Sequence, residues 1–172
     1  TQQNAIRKSH RTKKVILASG SIGTTAILLR SNLTRTPALG KRFTCHPQYM
    51  TFGYFEDPVD SHKGPFQSLK TEDASLRKKG FKLENVFGPP IAVSMLLPGF
   101  GQQHAKAMLN YRHYAGIEIC VQDEAIGRIS VDSDGRPRVR KPLSSQDKSR
   151  ITQALNLVVQ LLNSVGAKQV HR

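Results

Sequence analysis

A short apolar run that leads through glycines into a helix is the feature that most constrains this fold. Residues 15–18 are apolar, follow two lysines and lead into small residues, a pattern typical of a strand buried on both faces of a sheet. The spacing then predicts a tight turn at residues 20–23 and a helix at 24–31 that ends at Asn32. The pattern therefore predicts a unit of strand, glycine turn and helix, whose strand needs the other strands of a sheet.

The end of this strand and the start of this helix form the first candidate binding site. Ala18, Ser19 and Gly20 are small enough for a large ligand to approach the backbone, and Thr24 opens the helix. The free N–H groups and the dipole at a helix start favour phosphate. Gly20 and Gly23 do not complete the GxGxxG fingerprint, however, and plain packing of a strand–helix unit would give the same pattern.

The rest of the chain alternates between strand, turn and helix patterns. Alternating or apolar runs predict strands at 49–55, 66–69, 91–97, 117–121, 127–132 and 136–140, with a loop at 34–47, a helix at 102–112 and a hairpin turn at 132–135. The clearest element is a helix with an apolar stripe of Ile151, Ala154, Leu155, Val158, Leu161, Leu162 and Val165. Ser144 and Asp147 predict a capping box at its start, and Gly166 predicts its left-handed end. We assign this stripe to the core.

The chain is strongly basic. Lys and Arg number 26 against 12 Asp and Glu, a formal charge of +14, which raises nucleic acid or an anionic membrane surface as a partner. The cations occur in short runs without interleaved aromatic residues or a zinc-finger or RNP pattern, so we expect no nucleic acid partner. A solvated basic surface, or a surface facing acidic segments, is the favoured interpretation. The apolar runs are too short for a transmembrane segment.

Cysteine and histidine positions limit the chemistry that the chain itself carries. Cys45 and Cys120 are far apart and lack a CxxC motif, so we predict two buried thiols in a reducing compartment; this favours the cytoplasm and leaves localisation open. We interpret His46 as a structural, hydrogen-bonding residue. The remaining internal histidines lack metal-ligand spacing and are predicted to be surface or capping residues: His62, His104 and His113. No catalytic residue and no metal site is assigned.

Several blocks, in order along the chain, resemble one family. VILASGSIGTTAILLRSNL at 15–33 resembles the second signature of the glucose–methanol–choline (GMC) flavoproteins, with Thr25 where Pro is usual and Asn32 where Gly is usual. LGKRFTCHP at 39–47 is similar to the family's Gly-Arg-Asn-Leu-x-x-His-Pro segment. HPQYMTFGYF at 46–55 resembles in particular the branch that includes long-chain alcohol oxidases. GRISVDSDGRP at 127–137 and GAKQV at 166–170 resemble the start of the family's C-terminal region.

This resemblance implies an internal piece of an FAD-dependent oxidoreductase that oxidises the CH–OH group of an alcohol by hydride transfer to the flavin. The implied fold class is α/β or α+β. Residues 1–47 would be part of a Rossmann-like FAD-binding domain. Residues 48–143 would form the antiparallel sheet of a substrate domain with helices, and 144–172 the helix that opens the C-terminal region. The four residues of the first candidate site would lie near the nucleotide part of FAD.

The resemblance also implies substrate-side residues, and it places the reactive base elsewhere. Tyr49, Phe52 and Met95 would line an apolar substrate cavity, with core packing as the stronger interpretation of each. The family's catalytic His belongs just downstream of a segment such as 166–170; His171 lies near that place without the following Gly-Thr, so we do not assign it. A His/His or His/Asn pair outside this chain would act as base and orienter, and the piece alone would be inactive. The alcohol and the electron acceptor stay open, and the alternative is a basic binding module for nucleic acid or an acidic partner.

Overall fold

Two antiparallel sheets account for the strands of this α+β chain. The computed structural model describes residues 8–32 and 36–172, so predictions that fall on 1–7 and 33–35, including the end of the signature block at Leu33, lie outside the described residues. In chain order the elements are α1 (Gly20–Ser31), β1 (Lys41–Phe43), β2 (Gln48–Tyr54), α2 (Ala74–Lys79), β3 (Phe81–Asn85), α3 (Pro90–Ser94), α4 (Gln102–Leu109), a 3₁₀ turn (Tyr111–His113), β4 (Tyr114–Val121), β5 (Gly127–Val131), β6 (Pro137–Arg140), α5 (Ser145–Ser164) and β7 (Gln169–His171).

Contacts divide these elements into two units. Unit 1 combines Thr1–Phe43 with Gly127–Arg140, and unit 2 combines Thr44–Ile126 with Lys141–Arg172. In unit 1 the sheet order is β1-β5-β6, and α1 packs on β5 and β6. Among the helices that the structure describes, none is long and apolar enough to cross a membrane.

The strand–turn–helix prediction at residues 15–31 is half right. The helix forms and ends at Asn32, whose φ of 50° is left-handed. It begins earlier than predicted, at Gly20, so residues 20–23 are its first turn. The predicted buried strand is wrong: residues 15–18 form no strand, and Val15 and Ile16 are 73% and 91% exposed. The physical reason is that the described chain offers no parallel strand to pair with this segment, and an unpaired strand has no ladder to stabilise it.

The hairpin of unit 1 is confirmed. β5 and β6 pair with Ile129 opposite Val139, and the Gly135 N–H donates to the Asp132 carbonyl at 2.9 Å. Gly135 has a φ of 75°, the conformation for which glycine was expected in this turn. β1 adds a third strand inside the predicted loop at 34–47, which is therefore only partly a loop.

Unit 2 is a four-stranded antiparallel sheet of order β3-β4-β2-β7 with a helix on one face. The core under α5 joins the two layers and consists of Phe81, Leu83, Ile119 and Val121 from the sheet and Ile151, Ala154, Val158 and Leu162 from the helix. The predicted strands at 49–55 and 117–121 are confirmed as β2 and the end of β4. Part of the opposite face carries a second apolar cluster, which includes Phe52, Phe87, Val93 and Tyr114.

The last helix has the predicted caps. Ser144 Oγ accepts from the Asp147 N–H at 3.0 Å, and the Asp147 carboxylate accepts from the Ser144 N–H at 2.8 Å, which completes the capping box. Gly166 follows the helix with a φ of 94°. Two residues of the predicted stripe lie at its edge rather than in the core: Leu161 is 42% and Val165 61% exposed.

Two other strand predictions are wrong. Residues 91–97 were predicted as a strand but begin as helix α3, because Pro90 takes the first helical position, where its missing N–H costs no hydrogen bond. Residues 66–69 form no strand, and only the neighbouring Lys70 makes an isolated bridge, to Glu84. The predicted helix at 102–112 ends at Leu109, and the 3₁₀ turn follows it.

Candidate functional site

The start of α1 carries the four residues predicted to lie near a nucleotide. Ala18 and Ser19 are exposed, and the Ser19 N–H donates to Thr24 Oγ1 at 3.2 Å. Ser19 occupies the N-cap position, and its own side chain makes no capping hydrogen bond. Gly20 has a φ of 68°, and a Cβ added there would meet no atom within 4 Å. The structure therefore brings these residues together around an open, uncrowded helix start.

The chemistry of this helix start suits a negatively charged group. α1 is 12 residues long, and its first turn contains no acidic residue. Its first N–H groups have no partner inside the helix, and the helix dipole adds partial positive charge at the same end. An anionic group that approaches over Gly20 would meet backbone donors without a steric barrier.

The three residues predicted to line a substrate cavity do not come together. Tyr49 packs against the core under α5, whereas Phe52 is 2% exposed in the second cluster, edge-on to Phe87 at a centroid distance of 6.2 Å. Met95 follows α3 and is 82% exposed. The positions of Tyr49 and Phe52 are those of core residues, and Met95 borders solvent.

A hollow of about 380 Å³ lies in unit 2 at the end of β2, β4 and β7. Its walls include Tyr54, Tyr114 and His171, whose rings lie close together: the centroids are 5.4 Å apart for Tyr54–Tyr114 and 5.8 Å apart for Tyr114–His171. Gln103, Lys106 and Asn110 of α4 and its C-terminal end supply a polar side. Aromatic walls with a few polar groups are the usual lining of a site for a small organic molecule.

Two groups in this hollow have unusual surroundings. The Nε2 atom of His171 is buried and has no hydrogen-bond partner among the residues that the structure describes. Burial raises the pKa of the Tyr114 hydroxyl, and the nearby Tyr54 adds to this shift. The sequence drew attention to His171 through its position after residues 166–170. It gave no sign of the two tyrosines, because their proximity depends on the register of β2 and β4.

In unit 2, the sheet face opposite α5 has an exposed, polar part. This polar part was not predicted from the sequence. Glu84 of β3 lies directly opposite Glu118 of β4, and Gln67 Nε2 donates to both carboxylates, at 2.7 and 3.2 Å. Lys82 forms an ion pair with Glu84. Burial and the charge of Glu84 raise the pKa of Glu118. The alternation of apolar and polar residues along 81–85 was the available signal for this strand.

These carboxylates lie near a buried thiol. Ligand atoms of Glu84, Glu118 and Cys120 lie within 4.8 Å of one another, a set that is able to hold a metal ion. Lys82 already neutralises one of the two carboxylates, and Gln67 donates to both. The arrangement is therefore balanced internally by a cation and a hydrogen-bond donor, and we interpret it as a polar network.

The two cysteines differ in exposure. Cys120 is buried, as predicted, whereas Cys45 is exposed, so that prediction is wrong for Cys45. The reason is that Cys45 precedes β2 in a loop, where its N–H donates to Asp123 Oδ2 at 3.2 Å. Burial opposes ionisation of Asp123, but the hydrogen bond from Lys141, with an Nζ–Oδ2 distance of 2.7 Å, keeps its pKa below the ordinary value.

The histidines predicted to be surface or capping residues include two with backbone partners. His104 Nε2 lies 2.8 Å from the Ser94 carbonyl oxygen, which ties α4 to the end of α3. His113 Nδ1 lies 3.0 Å from the Glu56 carbonyl oxygen. His62 is exposed, with its ring 5.1 Å from that of Tyr111. His46 is exposed as well.

Comparison with known proteins gives one consistent result. The chain is 28% identical over 156 residues to two proteins named as uncharacterized GMC-type oxidoreductases, from two strains of Mycobacterium tuberculosis. The chain is similar to GMC-type oxidoreductases. The match covers 91% of this chain and 24% of each relative, so the chain spans about a quarter of the length of the curated relatives it matches. No family model matches the chain.

This similarity runs through both units. A match over 91% of 172 residues is too long to lie within either unit alone. The similarity agrees with the resemblance found in the sequence blocks.

Proposed function

We propose that this chain is part of an FAD-dependent oxidoreductase of the GMC family that oxidises the CH–OH group of an alcohol to a carbonyl. The observation that carries the proposal is the similarity to GMC-type oxidoreductases over 156 residues. The blocks at 15–33, 39–47, 127–137 and 166–170 support it, because they occur in the family's order. The segment at 46–55 supports the branch that includes long-chain alcohol oxidases.

The start of α1 is the part of the chain that fits the flavin best. Ala18, Ser19, Gly20 and Thr24 would hold the nucleotide part of FAD, and the open space over Gly20 and the acid-free first turn are compatible with a pyrophosphate group. The bound flavin would supply the hydride acceptor. Residues 1–47 would then belong to an FAD-binding domain.

The substrate side belongs to unit 2 in this proposal. Residues 48–143 would supply the substrate-domain sheet, and 144–172 the helix that opens the C-terminal region. The hollow walled by Tyr54, Tyr114 and His171 is the better candidate for contact with an organic substrate than Tyr49, Phe52 and Met95, because its side chains share one space. The base that takes the alcohol proton would be a His outside this chain, with a His or Asn partner.

One substitution separates cofactor binding from folding. Ser19→Asp places a carboxylate at the N-cap of α1, where it stabilises the helix but repels the flavin pyrophosphate. In the full-length protein we expect a folded variant with at least tenfold less bound flavin, measured from the visible flavin absorbance per protein.

The matched control adds the same charge at the other end of the same helix. Ser31→Asp lies in the last turn of α1, and it should leave the flavin content unchanged. Full flavin occupancy in Ser19→Asp would contradict the placement of the nucleotide. A full-length protein that folds without any flavin would contradict the proposed function itself.

A further inference from the structure

The positive charge of the chain is concentrated in unit 1. This unit holds 13 of the 26 Lys and Arg residues and only 2 of the 12 Asp and Glu, a net charge of +11, whereas unit 2 has a net charge of +3. The basic runs at residues 7–8, 11–14 and 136–140 belong to this unit, whereas the run at 77–79 lies in unit 2.

The sheet of unit 1 aligns three of these cations. Lys41 of β1 lies opposite Arg128 of β5, and Arg128 lies opposite Arg140 of β6, so the three form one row across all three strands. All three side chains are exposed. Neighbouring strands are only about 4.8 Å apart, and like charges directly opposite each other destabilise a sheet.

Unit 1 does not supply the counter-charge for this row. Asp132 is already bound by Arg138, with an Nε–Oδ2 distance of 3.0 Å, and by the N–H of Arg136 at 2.8 Å. In the part of the chain that the structure describes, no ion pair involves Lys41, Arg128 or Arg140. A protein carboxylate that pairs with the row would therefore come from outside unit 1.

The side chains on the face that carries the row limit the class of partner that it is able to bind. Ser130 and Arg138 share the face with the row, while Ile129 and Val139 alternate to the face on which α1 packs. Phe43 is the sole aromatic residue of unit 1, and it is half-buried, so the face offers no platform on which nucleic acid bases stack. Among the described residues, the strand positions on this face carry no apolar side chain for insertion into a bilayer.

We propose that this face binds an extended polypeptide segment rich in Asp and Glu. Arginine forks bind carboxylates through two hydrogen bonds, which matches Arg128 and Arg140 of the row, whereas Arg138 is bound to Asp132. Among the strands that the structure describes, β6 is also an edge strand and pairs with β5 alone, which leaves its outer backbone groups open to an added strand. An extended acidic segment is able to use the backbone edge and the cation row together. The inference does not depend on the flavin chemistry.

Binding of a labelled peptide tests this surface in the intact chain. The probe is a short fluorescein-labelled peptide of alternating Glu and Thr, followed by fluorescence anisotropy at low salt, with a Gln/Thr peptide as the neutral comparison. Replacing Arg128→Gln and Arg140→Gln together should weaken binding about 10- to 100-fold. Lys13→Gln with Lys14→Gln removes the same charge from unit 1 outside the sheet, and it should weaken binding by less than about threefold.

Each other outcome overturns the proposal. Equal losses in the two double variants would mean diffuse attraction to unit 1 rather than a site at the row. Phosphatidylserine vesicles or duplex DNA that bind the row more tightly than the acidic peptide does would overturn it as well. Either result would mean that the face binds a membrane or nucleic acid and not an acidic polypeptide. Binding of the neutral peptide at the same strength would exclude carboxylate recognition.

A second measurement tests the row without any ligand. Because Arg128 lies between two other cations, Arg128→Gln should raise the Tm of the chain at low salt, and the rise should disappear in high salt. A Tm that falls or stays unchanged at low salt would show that repulsion among the three cations does not destabilise the sheet. That result would remove the basis of the proposal.

Discussion

The Asp147 carboxylate joins the start of α5 to the loop after β4. It is fully buried and accepts hydrogen bonds from the N–H groups of Glu124 at 2.8 Å, Ala125 at 3.3 Å and Ser144 at 2.8 Å. Burial opposes its charge, but these hydrogen bonds outweigh that effect and lower its pKa from 3.8 to about 2. The carboxylate therefore caps α5 and also fixes the loop after β4.

Asp147→Asn should destabilise the chain by about 2 kcal/mol at pH 7, because an amide nitrogen would face backbone donors. The ionised carboxylate contributes stability above its unfolded pKa, and this contribution is lost as the pH falls through the folded value of about 2. Urea unfolding of both proteins should thus show a difference that is constant above pH 5 and shrinks towards pH 2. Asp134→Asn, in the exposed hairpin turn, is the control; a pH-independent difference for Asp147 would contradict the assigned charge.

Thr51 provides a test in which the substitution is expected to stabilise the chain. It is fully buried in β2, and its Oγ1 has no hydrogen-bond partner among the described residues. Thr51→Val keeps the shape and removes the unsatisfied hydroxyl, so it should raise the free energy of unfolding by about 1 kcal/mol. Thr152→Val on the exposed side of α5 should change it by less than about 0.5 kcal/mol. Destabilisation by Thr51→Val in chemical unfolding would indicate that Oγ1 has a partner.

Side-chain contacts within one helical turn were predictable from the sequence, and contacts between distant segments were not. The Ser144–Asp147 spacing predicted the capping box, because both partners lie within one turn of the same helix. The bonds from Glu124 and Ala125 were not predictable, since they join segments more than 20 residues apart. The three-ring wall of Tyr54, Tyr114 and His171 is hidden in the sequence for the same reason.

At the scale of elements, α5 shows how the apolar stripe is divided between core and surface. Leu162 is 3% exposed and packs in the core under the helix, while its neighbour Leu161 is 42% exposed. The two positions carry the same side chain, so they form a matched pair on one helix.

Leu162→Ala should lower the free energy of unfolding by about 2–5 kcal/mol, because it leaves a cavity that the rigid sheet does not fill. Leu161→Ala should cost less than about 1 kcal/mol, since much of that side chain is already in water. Denaturant midpoints of the two variants give the comparison directly. Similar costs at both positions would contradict the packing of α5 on the sheet.

An element was predicted correctly where its own sequence determines its structure, and wrongly where contacts with other segments decide it. α5 and the β5–β6 hairpin formed as predicted, because periodicity and turn chemistry are local signals. Residues 15–18 and 91–97 were misjudged because a short apolar run looks the same in a buried strand, a short helix or an exposed segment. The deciding factors were a missing pairing partner in the first case and Pro90 in the second.

At the scale of the whole molecule, the fold class was predictable and the row of cations across the sheet of unit 1 was not. Alternating strands and one strong helix indicated an α+β chain, and two antiparallel sheets are present. Most of the excess positive charge of unit 1 lies in residues 1–43, and the hairpin at 127–140 adds Arg128 and Arg140, which complete the row. The proposed flavin-side residues came from a contiguous signature at 15–33, whereas the hollow in unit 2 required three strands and a helix end to meet.

The similarity to GMC-type oxidoreductases gives this organisation a functional meaning. It extends across both units, and the proposed division assigns flavin contact to the start of α1 and substrate contact to unit 2. Both assignments concern one reaction in the full-length protein, so a single spectroscopic observation addresses them together.

The most direct test is anaerobic addition of alcohols to the full-length protein, followed through its visible flavin absorbance. Without oxygen, hydride transfer from a substrate alcohol reduces the flavin and its band bleaches. We predict bleaching by at least one member of a series of primary alcohols of increasing chain length, with the corresponding aldehyde formed in equal amount. A folded, flavin-containing protein whose band is unchanged by every alcohol, yet bleaches with dithionite, would contradict the account.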